Sequence, residues 1–174
     1  MRGLALLLVA AIASPALAQD SGTEEIGTDD DGPRAADKGV LGVGLMFGEP
    51  TGISAKLYLQ DDQAIQVGVG FALISGGIHA HGDYVFHPLI LQTRDSFVMP
   101  VYFGPGVRLL QYDDGRDASF FAIGARAVGG LLFDFKEIPL DAFVEVAGVL
   151  EYSFEDGVGF RPSLNAGAGA RYYF

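Results

Sequence analysis

The sequence predicts an all-β protein: a single eight-stranded antiparallel up-and-down β-barrel that spans a membrane and has a filled polar lumen. From residue 39 onward, eight segments carry apolar residues at every second position, and turn signals separate these segments. Charged residues within the segments occur only at the opposite parity. A soluble barrel keeps its apolar face inside, whereas a membrane barrel turns that face toward lipid and encloses polar side chains. Ten ionised groups cannot be buried in a dry core, and this favours the membrane barrel over the alternative, a soluble lipocalin-like barrel.

Composition excludes several other classes of protein. Of 174 residues, 49% are hydrophobic, yet beyond the N-terminal segment no apolar run approaches the roughly 20 residues of a membrane helix. The chain has no Cys, which excludes disulfides, thiolate metal sites and cysteine nucleophiles. A net charge of -11 argues against a nucleic-acid partner. No glycine-rich nucleotide loop opens a helix, so no cofactor is predicted.

The N-terminal segment reads as an export signal. Arg2 gives a basic start, residues 4–13 are apolar, and Ala16 and Ala18 form a small-x-small cleavage motif. Residues 1–18 are therefore predicted to be a signal peptide that is cleaved after Ala18. Residues 19–38 are acidic and almost free of apolar side chains, which predicts a disordered periplasmic tail. The barrel then covers residues 39–174.

Each predicted strand has an uncharged apolar face and ends at a turn signal. The predicted strands cover residues 40–48, 51–60, 63–73, 77–87, 97–112, 118–134, 139–152 and 158–174. Their apolar faces begin at Leu41, Ile53, Ile65, Ile78, Phe97, Phe121, Leu140 and Phe160 and continue at every second residue. An eight-stranded barrel has an interior that side chains just fill, so no large aqueous pore is expected.

The opposite face holds five cations and five anions, which predicts a network of ion pairs that holds the lumen closed. One register of the last hairpin sets Glu151 opposite Arg161 and Asp141 opposite Arg171, so two opposite-charge pairs share one ladder. The predicted network contains Lys56, Asp83, Arg108, Arg126, Asp134, Asp141, Glu145, Glu151, Arg161 and Arg171.

One group of lumen residues has the chemistry of a metal site. His79, His81 and Asp83 lie at i, i+2 and i+4 of the fourth strand and so share the inward face. Two imidazoles and a carboxylate suit Zn²⁺ or another transition ion. The other interpretation is a structural role, in which these side chains hydrogen-bond to the charged network.

The sequence ends in Arg171-Tyr172-Tyr173-Phe174, with aromatic residues at the last and third-last positions. This ending resembles the C-terminal signal of bacterial outer-membrane barrels, in which Tyr172 and Phe174 would be read by the barrel-assembly machinery. The first hairpin, residues 48–59, and the stretch 139–146 resemble a family of small OmpA/OmpX-like outer-membrane barrels. The resemblance covers residues 39–174. It implies an eight-stranded barrel in the outer membrane of a Gram-negative bacterium, surrounded by lipid and lipopolysaccharide, and it carries no particular activity or extracellular partner.

We therefore expect a barrel of structural or interaction type and no enzymatic activity. A lumen that binds a metal or another ligand is the main alternative, and a lipid-modifying outer-membrane enzyme is the weaker one. Known lipid-modifying barrel enzymes carry either a His and a Ser on the lipid-facing side or a His and an Asp-Ser pair in the outer loops. Here the histidines face inward, and Asp95-Ser96 lies in a predicted periplasmic turn.

Overall fold

The computed structural model describes residues 38–73, 76–113, 119–154 and 159–174. The predicted signal peptide, and all of the predicted tail except Lys38, lie outside these residues. Parts of three predicted turns lie outside them as well. These are residues 74–75, between the third and fourth predicted strands, residues 114–118, between the fifth and sixth, and residues 155–158, between the seventh and eighth.

The described residues form eight antiparallel strands in a closed ring, and they contain no helix. Each strand pairs with its neighbours in sequence, and β8 pairs with β1 to complete the barrel. This confirms the all-β, eight-stranded architecture that the alternation predicts. The strands are β1 (Leu41–Gly48), β2 (Thr51–Gln60), β3 (Gln63–Phe71), β4 (Ile78–Thr93), β5 (Phe97–Asp113), β6 (Ser119–Phe135), β7 (Leu140–Ser153) and β8 (Phe160–Tyr173).

The two ends of the barrel are named from β1. The near end is where β1 begins, and the far end is where β1 ends. The β2–β3, β4–β5 and β6–β7 turns lie at the near end, together with the end of β8. The other turns lie at the far end.

The two faces of the sheet carry opposite kinds of side chain. On β3, Ile65, Val67 and Val69 point outward and are 40%, 43% and 52% exposed, whereas Gln66 between them is 2% exposed. Successive side chains of a strand point to opposite faces, so a period of two in the sequence becomes an apolar outside and a mixed inside.

The β4 strand differs from the prediction, because it continues to Thr93 instead of ending at residue 87. Its register against β5 shifts between Phe86 and Leu89 and once more further along. Before these irregularities the exposed apolar residues of β4 have even numbers, as Phe86 does. After them the exposed apolar residues have odd numbers, as Leu89 and Leu91 do. A pattern with a strict period of two is lost at this point, which is why the predicted strand is too short.

The last hairpin has the register that its charges predict. Glu151 pairs with Arg161, and Asp141 pairs with Arg171. These pairs confirm the predicted register. The register matters because a shift by one residue would turn both acids toward the outside.

The lumen also contains a large apolar and aromatic part that the sequence analysis did not identify. Tyr58, Tyr102, Leu132, Phe143 and Tyr173 belong to one buried cluster in the near half of the barrel. Each is at most 6% exposed. These residues share the parity of the inward charges, so the alternation places them inside, but it does not show that they pack together in one cluster.

Candidate functional site

Eight of the ten charged residues predicted for the lumen are buried, and two lie at its far end in contact with solvent. Glu151 keeps 16% of its side chain exposed, and Arg161 is exposed. Arg161 is predicted to lie inside the lumen, but it stands at the start of β8. The pairing of β1 with β8 ends at Gly48 and Gly167, so no β1 residue lies beside Arg161 to enclose it. The buried members are Lys56, Asp83, Arg108, Arg126, Asp134, Asp141, Glu145 and Arg171.

A central cluster, which comprises Gln66, Asp83, Arg126 and Glu145, crosses the middle of the lumen. Arg126 Nε lies 3.0 Å from Asp83 Oδ1, and Arg126 Nη2 lies 2.7 Å from Glu145 Oε1. Gln66 Nε2 donates to Asp83 Oδ2 at 3.2 Å and to Glu145 Oε2 at 3.0 Å. One guanidinium and one amide therefore hold two carboxylates from β4 and β7 together.

Two further side chains extend the central cluster to β5 and β8. Tyr102 Oη of β5 donates to Glu145 Oε2 at 2.9 Å. Arg126 Nη1 donates to Asn165 Oδ1 of β8 at 3.3 Å. A buried network in which charges are paired and hydrogen-bonded avoids the penalty of isolated buried charges and fixes the relative positions of the strands.

Glycines on neighbouring strands provide the space that this layer needs. A Cβ on Gly106 would lie 1.9 Å from Asp83 Oδ1, and a Cβ on Gly68 would lie 2.4 Å from His81 Cε1. Any larger residue at either position would push the carboxylate or the imidazole out of place.

The two histidines of β4 lie on the far side of the central cluster. His79 is 0% and His81 7% exposed, and their ring centroids are 5.3 Å apart in an edge-on arrangement. Among the described residues, neither ring nitrogen of His79 has a hydrogen-bond partner, and neither has His81 Nδ1. His81 Nε2 lies 3.9 Å from Asp83 Oδ2, beyond hydrogen-bond distance.

The structure brings together a set of metal-ligating residues that overlaps the predicted one. Within the described ranges, His81, Asp83 and Glu145 each place a ligand atom within 4.8 Å of the others. His79, which the sequence analysis grouped with His81 and Asp83, is not a member of this set. Glu145 enters it from β7, across the lumen, and no spacing along the sequence signals that contact.

At the far end, Arg108 binds two acids. Its Nη1 lies 3.1 Å from Glu151 Oε2, its Nη2 lies 3.8 Å from Glu49 Oε1, and Nη1 also donates to Ser163 Oγ at 2.9 Å. Glu49 lies between the first two predicted strands, in a turn, yet it is only 4% exposed. The Glu49 amide donates to the Ala166 carbonyl at 2.9 Å and so continues the β1–β8 ladder by one residue.

At the near end, two ion pairs lie side by side. Arg171 Nε donates to Asp141 Oδ1 at 3.1 Å, and Tyr173 Oη donates to Asp141 Oδ2 at 2.6 Å. Lys38 forms an ion pair with Asp134, and its Nζ donates to the Leu140 carbonyl at 2.8 Å. The sequence pattern places Lys38 in the acidic tail, whereas the structure places it at the near end of the barrel, bound to Asp134.

Lys56 has mainly aromatic neighbours. Its Nζ lies 2.8 Å from His87 Nε2 and is 4.9 Å and 5.0 Å from the ring centroids of Tyr58 and Tyr102. His87 Nδ1 in turn lies 3.1 Å from the Asp62 carbonyl oxygen. Cation–π contacts of this kind stabilise a buried ammonium group.

No protein-family model, curated protein or solved structure matches this chain. In the part of the chain that the structure describes, no helix is long and apolar enough to cross a membrane.

Proposed function

We propose that this chain is a small integral outer-membrane barrel of structural or interaction type, with a charge-paired lumen and no large pore. The observation that carries the proposal is the distribution of polarity in a closed ring. Among the described residues, every strand exposes large apolar side chains, while nine charged residues, the eight buried lumen charges and Glu49, are buried inside. The proposal includes no catalytic step.

The outer surface supports a lipid environment. Leu45, Ile53, Val69, Val107 and Val146 lie on five different strands, and each is between 52% and 60% exposed. Monomeric soluble proteins rarely expose a contiguous apolar patch of more than a few hundred Å². Apolar residues exposed on every strand of a closed ring are what a transmembrane barrel needs on its lipid-facing surface, and this supports the proposal.

Aromatic side chains near both ends of the barrel support the same environment. At the far end Phe47 and Phe71 are 64% and 68% exposed, and Phe160 is 71% exposed with its ring 5.2 Å from that of Tyr152. At the near end Phe174 is 72% exposed. Membrane barrels carry such aromatic girdles at the two interfaces between lipid and water.

The lumen contacts support a barrel without a wide channel. The Arg126 guanidinium spans the middle, Arg108 lies between two acids at the far end, and Arg171 pairs with Asp141 at the near end. These charged side chains cross the space through which a solute would have to pass. The proposed function therefore does not include the transport of bulky solutes.

The proposed orientation places the near end in the periplasm and the far end outside the cell. Export would use the signal peptide at residues 1–18, and the acidic tail at 19–38 would remain in the periplasm. The proposed partners are outer-membrane lipid, lipopolysaccharide and the barrel-assembly machinery. Tyr172 and Phe174 form an exposed aromatic pair with ring centroids 5.2 Å apart, as a recognition signal on the last strand would require.

Membrane fractionation combined with gel migration tests the proposal. The full chain is expressed in a Gram-negative host, and the control is the same chain without residues 1–18. We expect the mature chain, without residues 1–18, in the outer-membrane fraction, soluble only in detergent, with a folded band that migrates differently from the boiled sample. The control should remain in the cytoplasm and show only the unfolded band. Recovery of the mature chain as a folded protein in the periplasmic supernatant would reject the proposal.

A further inference from the structure

We propose that the middle of the lumen binds a divalent transition-metal ion, with His81, Asp83 and Glu145 as its ligands. We further propose that Arg126 is the competing occupant of the same two carboxylates. This site goes beyond the structural role, and its test does not depend on the location of the protein in the cell.

The donor set has the right chemistry and nearly the right spacing. One imidazole and two carboxylates are ligands that Zn²⁺ and similar ions accept. Their ligand atoms lie within 4.8 Å of one another, whereas donors around a tetrahedral Zn²⁺ lie roughly 3.3 Å apart. The remaining contraction is within the reach of side-chain rotation, because Glu145 has three rotatable bonds and approaches from the opposite wall.

Buried polar atoms without a partner point to a ligand at this place. Gln66 Oε1 and His81 Nδ1 are buried, and neither has a hydrogen-bond partner within the described residues. The side chain of His81 is only 2% exposed. A network with a purely structural role would be expected to satisfy such groups with donors, since an unpaired buried polar group destabilises the fold. A cation would satisfy the amide oxygen, and also the imidazole in the tautomer that turns its unprotonated nitrogen toward the ion.

The charges of the central cluster leave room for a second cation. Asp83 and Glu145 carry two negative charges, and Arg126 supplies one positive charge between them. Arg126 Nη1 also has an independent acceptor in Asn165 Oδ1 at 3.3 Å. The guanidinium can therefore turn toward Asn165 while the ion takes its place on the carboxylates, so the two cations compete.

The test measures Zn²⁺ binding to the purified, folded full chain in detergent after treatment with a chelator. Equilibrium dialysis with elemental analysis should give about one Zn²⁺ per chain. The Glu145→Gln and Asp83→Asn variants should bind about tenfold more weakly or worse. Arg126→Gln should bind more tightly than the wild type, because its competing charge is removed.

Two matched controls separate the site from the rest of the network. Glu151→Gln makes the same change in the ion pair at the far end, and His87→Gln removes the histidine that contacts Lys56. Both should bind Zn²⁺ like the wild type. Each variant is first shown to give the folded band, so that loss of binding is not loss of folding. A wild type that takes up no stoichiometric Zn²⁺, or controls that lose as much affinity as Glu145→Gln, would overturn the site. An Arg126→Gln variant with weaker binding than the wild type would overturn the competition.

Discussion

Arg171 of β8 and Asp141 of β7 form a direct cross-strand ion pair inside the barrel, with Arg171 Nε 3.1 Å from Asp141 Oδ1. Both residues are 1% exposed. The pair therefore joins two strands of the lumen at a place where water cannot replace either partner.

Removal of one partner from this pair should destabilise the barrel strongly. Asp141→Asn leaves the Arg171 charge buried without its counter-ion, and we expect a loss of about 3–5 kcal/mol in the free energy of unfolding. The measurement is urea unfolding in detergent or liposomes. The double variant Asp141→Leu, Arg171→Met should recover most of this loss, because no buried charge remains. Arg161→Gln, at an exposed arginine of the same strand, should change stability by less than about 0.5 kcal/mol.

A charge on the outer face should be costly in proportion to its depth in the membrane. Val69→Arg places a cation on the apolar surface of β3, and we expect a loss of about 2–4 kcal/mol in lipid. Leu59→Arg introduces the same charge on the outer face at the near end of β2, where Leu59 is 49% exposed, and should change stability by about 0–1 kcal/mol. Equal effects of the two substitutions on unfolding in liposomes would contradict the lipid-facing assignment of this surface.

Gly106 should not tolerate a side chain. A Cβ at this position would lie 1.9 Å from Asp83 Oδ1, so Gly106→Ala must displace the carboxylate from Arg126. We expect a loss of about 1–3 kcal/mol from this overpacking. Gly148→Ala is the matched control, because a Cβ there meets no heavy atom within 4 Å. Similar unfolding midpoints for the two variants would show that Asp83 adjusts freely.

Lys38 should contribute to stability although it precedes the first strand. Lys38→Met removes the ammonium group that binds Asp134 and the Leu140 carbonyl, and we expect a loss of about 1–3 kcal/mol. The control is Lys136→Met, at an exposed lysine of the near-end turn between β6 and β7. If the two variants unfold at the same urea concentration, Lys38 has no role in closing this end.

The terminal aromatic residue should affect assembly more than stability. We expect Phe174→Ala to lower the fraction of chain that reaches the folded band in cells, because the proposed recognition signal is lost. Phe160→Ala removes a ring of similar exposure at the far end, 71% against 72%, and should assemble normally. Urea unfolding of whatever protein folds distinguishes an assembly defect from a stability defect.

The sequence predicts the strands well because burial in this fold repeats with the same period as the backbone. The alternation identifies which side chains face inward, and two charge pairs identify the register of the last hairpin. It fails in β4 between Phe86 and Leu89, where an irregular register changes the parity.

Contacts across the lumen could not be predicted from the sequence. Parity gives the face on which a residue lies, but the stagger of the closed ring decides which inward residues meet. Glu145 joins His81 and Asp83, and Glu49 reaches Arg108, only because non-neighbouring strands come together inside the barrel. Neither contact leaves a repeat or a spacing in the sequence.

The pairing of β8 with β1 has a consequence for the order of assembly. The Phe174 amide donates to the Leu41 carbonyl at 2.9 Å, so the first and last strands complete each other's backbone hydrogen bonds. Before β8 is in place, a partial sheet would present two unpaired edges, which are templates for aggregation. The unfinished sheet must therefore be shielded until the final segment of the chain is available and both edges disappear in a single closing event.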